Sequence, residues 1–389
     1  MGEVPQIFVV AGEPSADEHG AMLGEALLDA GQVRLTGVGQ TRMRRAGFDL
    51  LFDSAGWSGI GVIESLKRVP QLFVRMHQLT AHLIAEPPDL LVLIDFGAFN
   101  VRLARRIRAS TDCPVLYYFP PRSWSRDADY TGLAGLVDRV ATPFPWSERR
   151  LHEAGIDAEW VGHPVVDRIH PLPAQEQRSL RAKLGVGGLG PVIGLLPGSR
   201  KTEIRCNCPP MLEAAEEIAQ ELPDVRFLLS VAPSVQRELL EEQVERFDLT
   251  DRTSLLAGLT EIVQASDLVI ASSGTATLET AAAACPMVII YQGTRLMGIE
   301  KRLRRFAVPF VGLPNILAGE EIVPELLDRD AVGPTIAERS LALLTDEAAM
   351  DAMRERLLEV RKQLGTPGVS KRVAQMALEM ASSRQSRGR

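Results

Sequence analysis

Short apolar runs of strand length alternate with helical stretches along this 389-residue chain, and the alternation breaks once, near the middle. In the first half the runs are IFVVA (7–11), VRLTGV (33–38), LLVLIDF (90–96), PVLYYF (114–119), RVATPF (139–144) and AEWVG (158–162). Between them AMLGEALLDAG, VPQLFVRMHQLTAHLIAE, NVRLARRIRAS and WSERRLHEAG place apolar residues three and four apart. Continuous apolar strands separated by amphipathic helices imply a parallel sheet covered on both faces. The pattern halts at HPVVDRIHPLPAQEQ, then restarts with PVIGLLPG (191–198), VRFLLSVA (225–232), TSLLAG (253–258), DLVIASSG (267–274) and PMVIIYQG (286–293). The expected fold is α/β, with two Rossmann-like doubly wound parallel-sheet domains facing across a cleft. The expected spans are 1–168 and 185–345, with helices over 346–389 packing back on the first domain.

Several function classes are excluded at once. The net charge of −7 provides no global basic field for nucleic acid. Cys113, Cys206, Cys208 and Cys285 are too few and too scattered for a disulfide framework, and the CxC pair has no second pair to complete a zinc site. The opening MGEVPQIFVVAGEPS reads as a strand rather than a signal peptide. No run approaches the ~20 apolar residues that span a bilayer. A cytoplasmic protein is expected, with association at a membrane surface left open.

Open parallel sheets bind ligands beyond the carboxyl ends of their strands, so the loops after strands are where chemistry is expected. In DLVIASSGTATLETAAAAC, a strand runs into Ser273, Gly274 and Thr275, and a helix opens with Thr277 and Glu279. Amides and hydroxyls at such a turn suit a diphosphate, and Glu279 suits a ribose diol; a Ser/Thr-capped turn is the plain alternative. In PVIGLLPGSRKTEI, Gly198 and Ser199 lead into Arg200, a positive group suited to a departing diphosphate. GxxxxGK[ST] is absent, so this is not a P-loop. In LLVLIDFGAFNVRLARRIR, Asp95 ends a very apolar strand, where a carboxylate is costly without a partner or a task. It suits a general base, with a helix cap as the alternative; Asn100 and the arginines after it suit phosphate. In VVAGEPSADEHGA, the loop is lined by Gly12, Glu13, Ser15 and Asp17, and His19 reads as surface. The strings Asp127–Asp129 and Asp328–Asp330 do not follow apolar strands and are read as chance, so no metal is expected.

Two stretches join basic residues to large apolar neighbours. One holds Trp57, Ile63, Leu66, Leu72 and Phe73 with Lys67, Arg68 and Arg75; the other is KRLRRFAVPF, 301–310. Both fit a membrane-surface patch, the alternative being apolar residues turned to the core.

These residues are recognisable together. AGEPSADEHGA, LLVLIDFGAFN, YYFPPRSW, VGHPVVD, LLPGSRKTEI, SSGTATLETAAAACPMVIIY and LPNILAGEEIVPELL run in this order over about 6 to 380. The chain resembles the lipid-A-disaccharide synthases, inverting glycosyltransferases of the B-type architecture. The resemblance implies transfer of diacylglucosamine from UDP-2,3-diacylglucosamine to 2,3-diacylglucosamine 1-phosphate, without a metal or other cofactor. It implies Asp95 as base, Arg200 as the essential arginine, and Ser273, Gly274, Thr275, Thr277, Glu279 and Asn315 around the nucleotide. It also implies an acyl- and membrane-handling region near 57–73, at the inner-membrane surface. A homodimer is compatible with it. Ala16, Ala98 and the YYFPPRSWSR segment depart from the family pattern, all in the first domain. A different lipid acceptor, or a UDP-sugar epimerase of similar architecture, are the alternatives.

Overall fold

The computed structural model describes residues 4–57, 62–232, 235–292 and 310–387, with backbone alone over 62–69 and 385–387. The chain divides into two compact units, 1–167 with 365–389, and 168–364.

In unit 1 the elements run β1 (Gln6–Ala11), α1 (Pro14–Ala30), β2 (Arg34–Gly39), α2 (Thr41–Arg45), β3 (Asp49–Asp53) and α3 (Val62–Ala85). They continue with β4 (Leu90–Ile94), α4 (Gly97–Ser110), β5 (Val115–Tyr118), β6 (Arg139–Thr142), α5 (Pro145–Glu153), β7 (Ala158–Trp160) and α6 (Val165–Arg168), whose last residue opens unit 2. Every residue of β4 is buried, which explains why LLVLI shows no alternation: helices cover both faces. All pairings are parallel, in the order β3-β2-β1-β4-β5-β6-β7. The order reverses between β1 and β4, and a crevice opens beyond the strand ends at such a switch point.

Unit 2 contains α7 (Ala174–Lys183), β8 (Val192–Leu196), α8 (Lys201–Glu221), β9 (Arg226–Ser230), α9 (Arg237–Arg246), β10 (Thr253–Leu256), α10 (Leu259–Ala265), β11 (Leu268–Ser272) and α11 (Thr275–Ala282). It ends with β12 (Met287–Tyr291), α12 (Leu313–Ala318), β13 (Glu325–Leu327), α13 (Gly333–Leu344) and α14 (Glu347–Gln363). Its parallel sheet has the order β10-β9-β8-β11-β12-β13, with the switch point between β8 and β11.

Two expected boundaries are corrected. Unit 2 begins at Arg168 rather than 185, because α7 is tied to it. Gln177 Nε2 donates to the carbonyls of Gln264 and Ser266 (both 3.2 Å), and Arg181 pairs with Asp267 at 2.8 Å. The closing helices also separate: α14 belongs to unit 2, and only α15 (Val369–Arg387) belongs to unit 1, where it packs on α1. Asp167 caps α15, its carboxylate accepting from the amides of Gly368 (2.7 Å), Val369 (3.1 Å) and Ser370 (3.1 Å).

Candidate active site

At the switch point of unit 1, β1 is followed by Gly12 and Glu13, and β4 by Asp95 and Phe96. Asp95 and Phe96 hold left-handed backbone at φ 46° and 48°, a conformation that costs a non-glycine residue about 1–2 kcal/mol. Two side chains fix it. The Asp95 carbonyl accepts from Asn100 Nδ2 at 2.9 Å and from the Tyr117 hydroxyl at 2.8 Å. Burial lifts the Tyr117 hydroxyl well above its ordinary value, so it remains a donor. Gly12 accommodates the turn from the other strand, since a Cβ there would lie 2.3 Å from the Phe96 ring. The Asp95 carboxyl is raised from 3.8 to about 6, chiefly by burial and further by the negative charge of Glu13. The site thus holds a carboxyl poised near neutrality, as a general base requires.

At the switch point of unit 2, β8 runs into Gly198, Ser199 and Arg200. Gly198 sits at φ +120°, and a Cβ there would meet Glu203 Cβ and Oε2 at 2.7 Å and Ser272 Oγ at 3.3 Å. Glu203 organises this turn. Its Oε2 accepts from the amides of Ser199 (3.0 Å) and Arg200 (3.2 Å), and its Oε1 pairs with Arg200 Nη1 at 2.8 Å. Arg200 remains about two-fifths exposed, so its guanidinium also faces solvent. Beside this turn, β11 ends in Ser272 and Ser273, followed by Gly274 at φ +156° as the N-cap of α11. Gly274 and Thr275 are exposed there, so solvent reaches the start of α11, where the Thr277 amide is taken up by the Gly274 carbonyl at 3.1 Å. Ser273 Oγ donates to the Val311 carbonyl at 2.9 Å and keeps its lone pairs as acceptors. One turn along α11, Glu279 Oε1 accepts from Arg168 Nη2 at 3.0 Å.

Several candidates serve the scaffold instead. Asp17, 3% exposed, accepts from the amides of Gln40, Arg42 and Met43 and caps α2, so it does not line the loop. Asn100 is fully buried and holds the Asp95 turn from behind rather than meeting phosphate. The Thr277 hydroxyl is buried and donates to the Gly274 carbonyl at 2.8 Å. Asn315 is fully buried; Oδ1 accepts from Ile322 and Val323, and Nδ2 donates to the Val323 carbonyl and Glu325. It shapes the segment after β12 and presents no polar atom to a ligand. Ser15 is partly buried in the first turn of α1.

The apolar patch also resolves into parts. Trp57 is 4% exposed and tilted against Phe99 in the core of unit 1, and Leu72 packs against the same core. Phe73 and Val74 are 64% and 53% exposed, with the Arg106 guanidinium over the Phe73 ring at 5.9 Å. The side chains of Ile63 and Leu66 lie outside the described residues, as does the basic stretch 301–306. His19 is not a solvated surface residue. It stacks on Phe119 at 4.6 Å and meets His163 edge-on at 5.6 Å, and burial lowers its pKa to about 4.

Among the described residues, no group of three His, Cys, Asp or Glu is placed to hold a metal ion. Asp127 and Asp129 are taken up locally by Ser125 and Thr131. Neither Glu203 nor Arg168 was singled out from the sequence. The i, i+3 spacing from Arg200 to Glu203 was the available signal for the first; a 111-residue separation hid the second.

Residues 7–380 match the family model described as lipid-A-disaccharide synthetase. The chain is 38% identical to lipid-A-disaccharide synthase of Geobacter sulfurreducens over 381 residues, covering 96% of this chain and 97% of that one. It is 36% identical to the Myxococcus xanthus protein of the same name, covering 98% of each. Among solved structures, a putative UDP-N-acetylglucosamine 2-epimerase from Listeria monocytogenes superposes with a TM-score of 0.61 at 15% identity, covering 96% and 95% of the two chains. The glycotransferase of kitacinnamycin gives a TM-score of 0.60 at 15% identity, covering 97% and 99%. Both show a shared fold.

Proposed function

The chain belongs to the lipid-A-disaccharide synthetase family of glycosyltransferases, and we propose that it joins UDP-2,3-diacylglucosamine to 2,3-diacylglucosamine 1-phosphate with inversion, giving the β-1,6 disaccharide 1-phosphate and UDP. The observation that supports this most is the Asp95 carboxyl, raised to about 6 on a strained turn at the switch point of unit 1. In this reading Asp95 takes the proton of the acceptor 6-hydroxyl as that oxygen bonds to the anomeric carbon of the donor. The bond from that carbon to the diphosphate oxygen breaks on the opposite face, and UDP leaves. Arg200 and the first-turn amides of α11 carry the charge that develops on the diphosphate, and Glu279 accepts from the ribose diol. An arginine and fixed dipoles carry that charge, so no metal is required. Incubation with donor, acceptor and excess chelator should yield the disaccharide by mass. Loss of activity to chelator would overturn the metal-free mechanism, while UDP release without disaccharide, or an epimerised donor, would overturn the transfer itself. A panel of other lipid acceptors run alongside tests the departures in unit 1.

The enzyme is proposed to work at the cytoplasmic membrane surface. Among the described residues no helix is long and apolar enough to cross a bilayer. Phe73 and Val74 stand exposed on α3, with the Arg106 guanidinium of α4 over the Phe73 ring. Exposed apolar side chains with an arginine beside them suit an anionic lipid surface. Replacing Phe73 and Val74 with serine should weaken sedimentation with anionic vesicles several-fold at an unchanged melting temperature. Undiminished binding would remove these two residues from the lipid contact.

A further inference from the structure

Resting on the assignment of Glu279 to the ribose diol, we propose that Arg168 is a positioning residue that gives the donor site its preference for ribose over deoxyribose. Arg168 Nη2 lies 3.0 Å from Glu279 Oε1, with the two side chains 30% and 12% exposed. A pair this far out of water is weakly screened by salt and limits the rotamers open to the carboxylate. Glu279 stands four residues after Thr275, so both lie on one face of α11, with Thr275 exposed at its N-terminus. A nucleotide whose phosphates meet the amides at that end therefore extends its ribose along the face that carries Glu279.

The backbone that carries Arg168 is itself anchored to this helix. Arg361 Nη1 donates to the Ile169 carbonyl at 2.7 Å and to the Ala282 carbonyl, at the far end of α11, at 2.6 Å. Gln264 Nε2 donates to the His170 carbonyl at 2.9 Å. One guanidinium thus joins the residue after Arg168 to the helix of Glu279, and a second joins the side chains. A general surface ion pair has no such support, and its contribution is small. Here the function of the pair is geometric: it holds the acceptor oxygens of Glu279 where two vicinal hydroxyls can donate to them. A deoxyribose, which lacks one of those donors, leaves part of that carboxylate unpaired and binds less well.

The test uses the full-length enzyme and two probes, UDP and 2′-deoxy-UDP, with dissociation constants from calorimetry and donor KM and kcat from the transfer assay. The wild type should prefer UDP by about tenfold. Arg168→Met should weaken UDP about five- to tenfold while 2′-deoxy-UDP changes little, so that the preference collapses. The kinetic effect should fall on donor KM more than on kcat, and Arg168→Lys should restore part of the preference. Should Arg168→Met fail to fold, Arg168→Gln carries the same expectation. A wild-type preference kept by Arg168→Met or Arg168→Gln, in a protein where Glu279→Ala loses it, would overturn the role of Arg168. A preference kept by Glu279→Ala would instead overturn the ribose assignment on which that role rests.

Discussion

The two units place turns at the same topological positions and fill them with opposite charge. In unit 1, β1 and β4 are followed by Glu13 and Asp95; in unit 2, the corresponding β8 and β11 are followed by Arg200 and by the N-terminus of α11. The backbone differs as well. Unit 2 turns on glycines, Gly198 and Gly274, at positive φ, whereas unit 1 forces Asp95 and Phe96 into the left-handed region. Unit 2 gives the carboxylate of Glu203 an arginine and two amides, while Asp95 is buried beside another acid, the Phe96 amide offsets only part of that, and its carboxyl rises to about 6. Strain and an acid held near neutrality mark a proton acceptor; a cation and relaxed amides mark an anion seat. On the proposed reading, one architecture supplies a proton acceptor in one unit and an anion seat in the other by changing only the residues after equivalent strands.

The largest effect should come from removing the base. Asp95→Asn keeps the shape of the side chain and abolishes its ability to take a proton, so kcat should fall by about 10³, within the range for general-base removal. The dissociation constant for UDP, which reads unit 2, should stay within error. Near-wild-type turnover would end the contrast, because unit 1 would then hold a strained acid with no task.

The reciprocal variant is Arg200→Ala. Loss of a group that stabilises developing charge should lower kcat/KM by about 10². It should weaken UDP binding as well, a signature Asp95→Asn lacks. It also leaves Glu203 with only the amides of Ser199 and Arg200 as partners among the contacts of this turn. Unchanged kinetics would move the diphosphate away from the Gly198–Arg200 turn.

The strands, their parallel order and the loops worth searching were legible because each rests on local pattern: apolar runs, amphipathic spacing and glycine turns. Asp95 and Arg200 were singled out for a similar reason, each a charged residue in the turn after an apolar strand, and Glu279 for its place in the first turns of the helix that follows one. What local pattern cannot show is which polar atoms the fold itself consumes. Asp17 and Asn315 look like loop ligands in sequence, yet their oxygens accept from amides 23 and 8 residues away. Trp57 sits in a stretch that reads as amphipathic, and only the ring of Phe99, brought in from α4, shows that it belongs to the core. The capture of α15 by Asp167, 203 residues from Ser370, has no local signature at all.

The smallest effect is also the sharpest test of the charge contrast, because it concerns stability rather than turnover. Asp95 stands at about 6 in the folded chain against 3.8 ordinarily, so between these values the folded state binds more protons than the unfolded state. Stability must then fall as pH rises through that window and lie at its reduced level above about 6. A shift of this size corresponds to about 3 kcal/mol, and the partial exposure of the side chain reduces it toward about 2 kcal/mol. Asparagine carries no such cost. Asp95→Asn should therefore unfold later than wild type at pH 8, by a few degrees for a unit of this size, and the two should coincide near pH 4. The same carboxyl must be ionised to act, so transfer activity should decline as pH drops below about 6, in the range where the wild type regains stability. An Asp95→Asn protein no more stable than wild type at pH 8 would mean that Asp95 is compensated after all, and that the two switch points differ in sequence but not in electrostatic design.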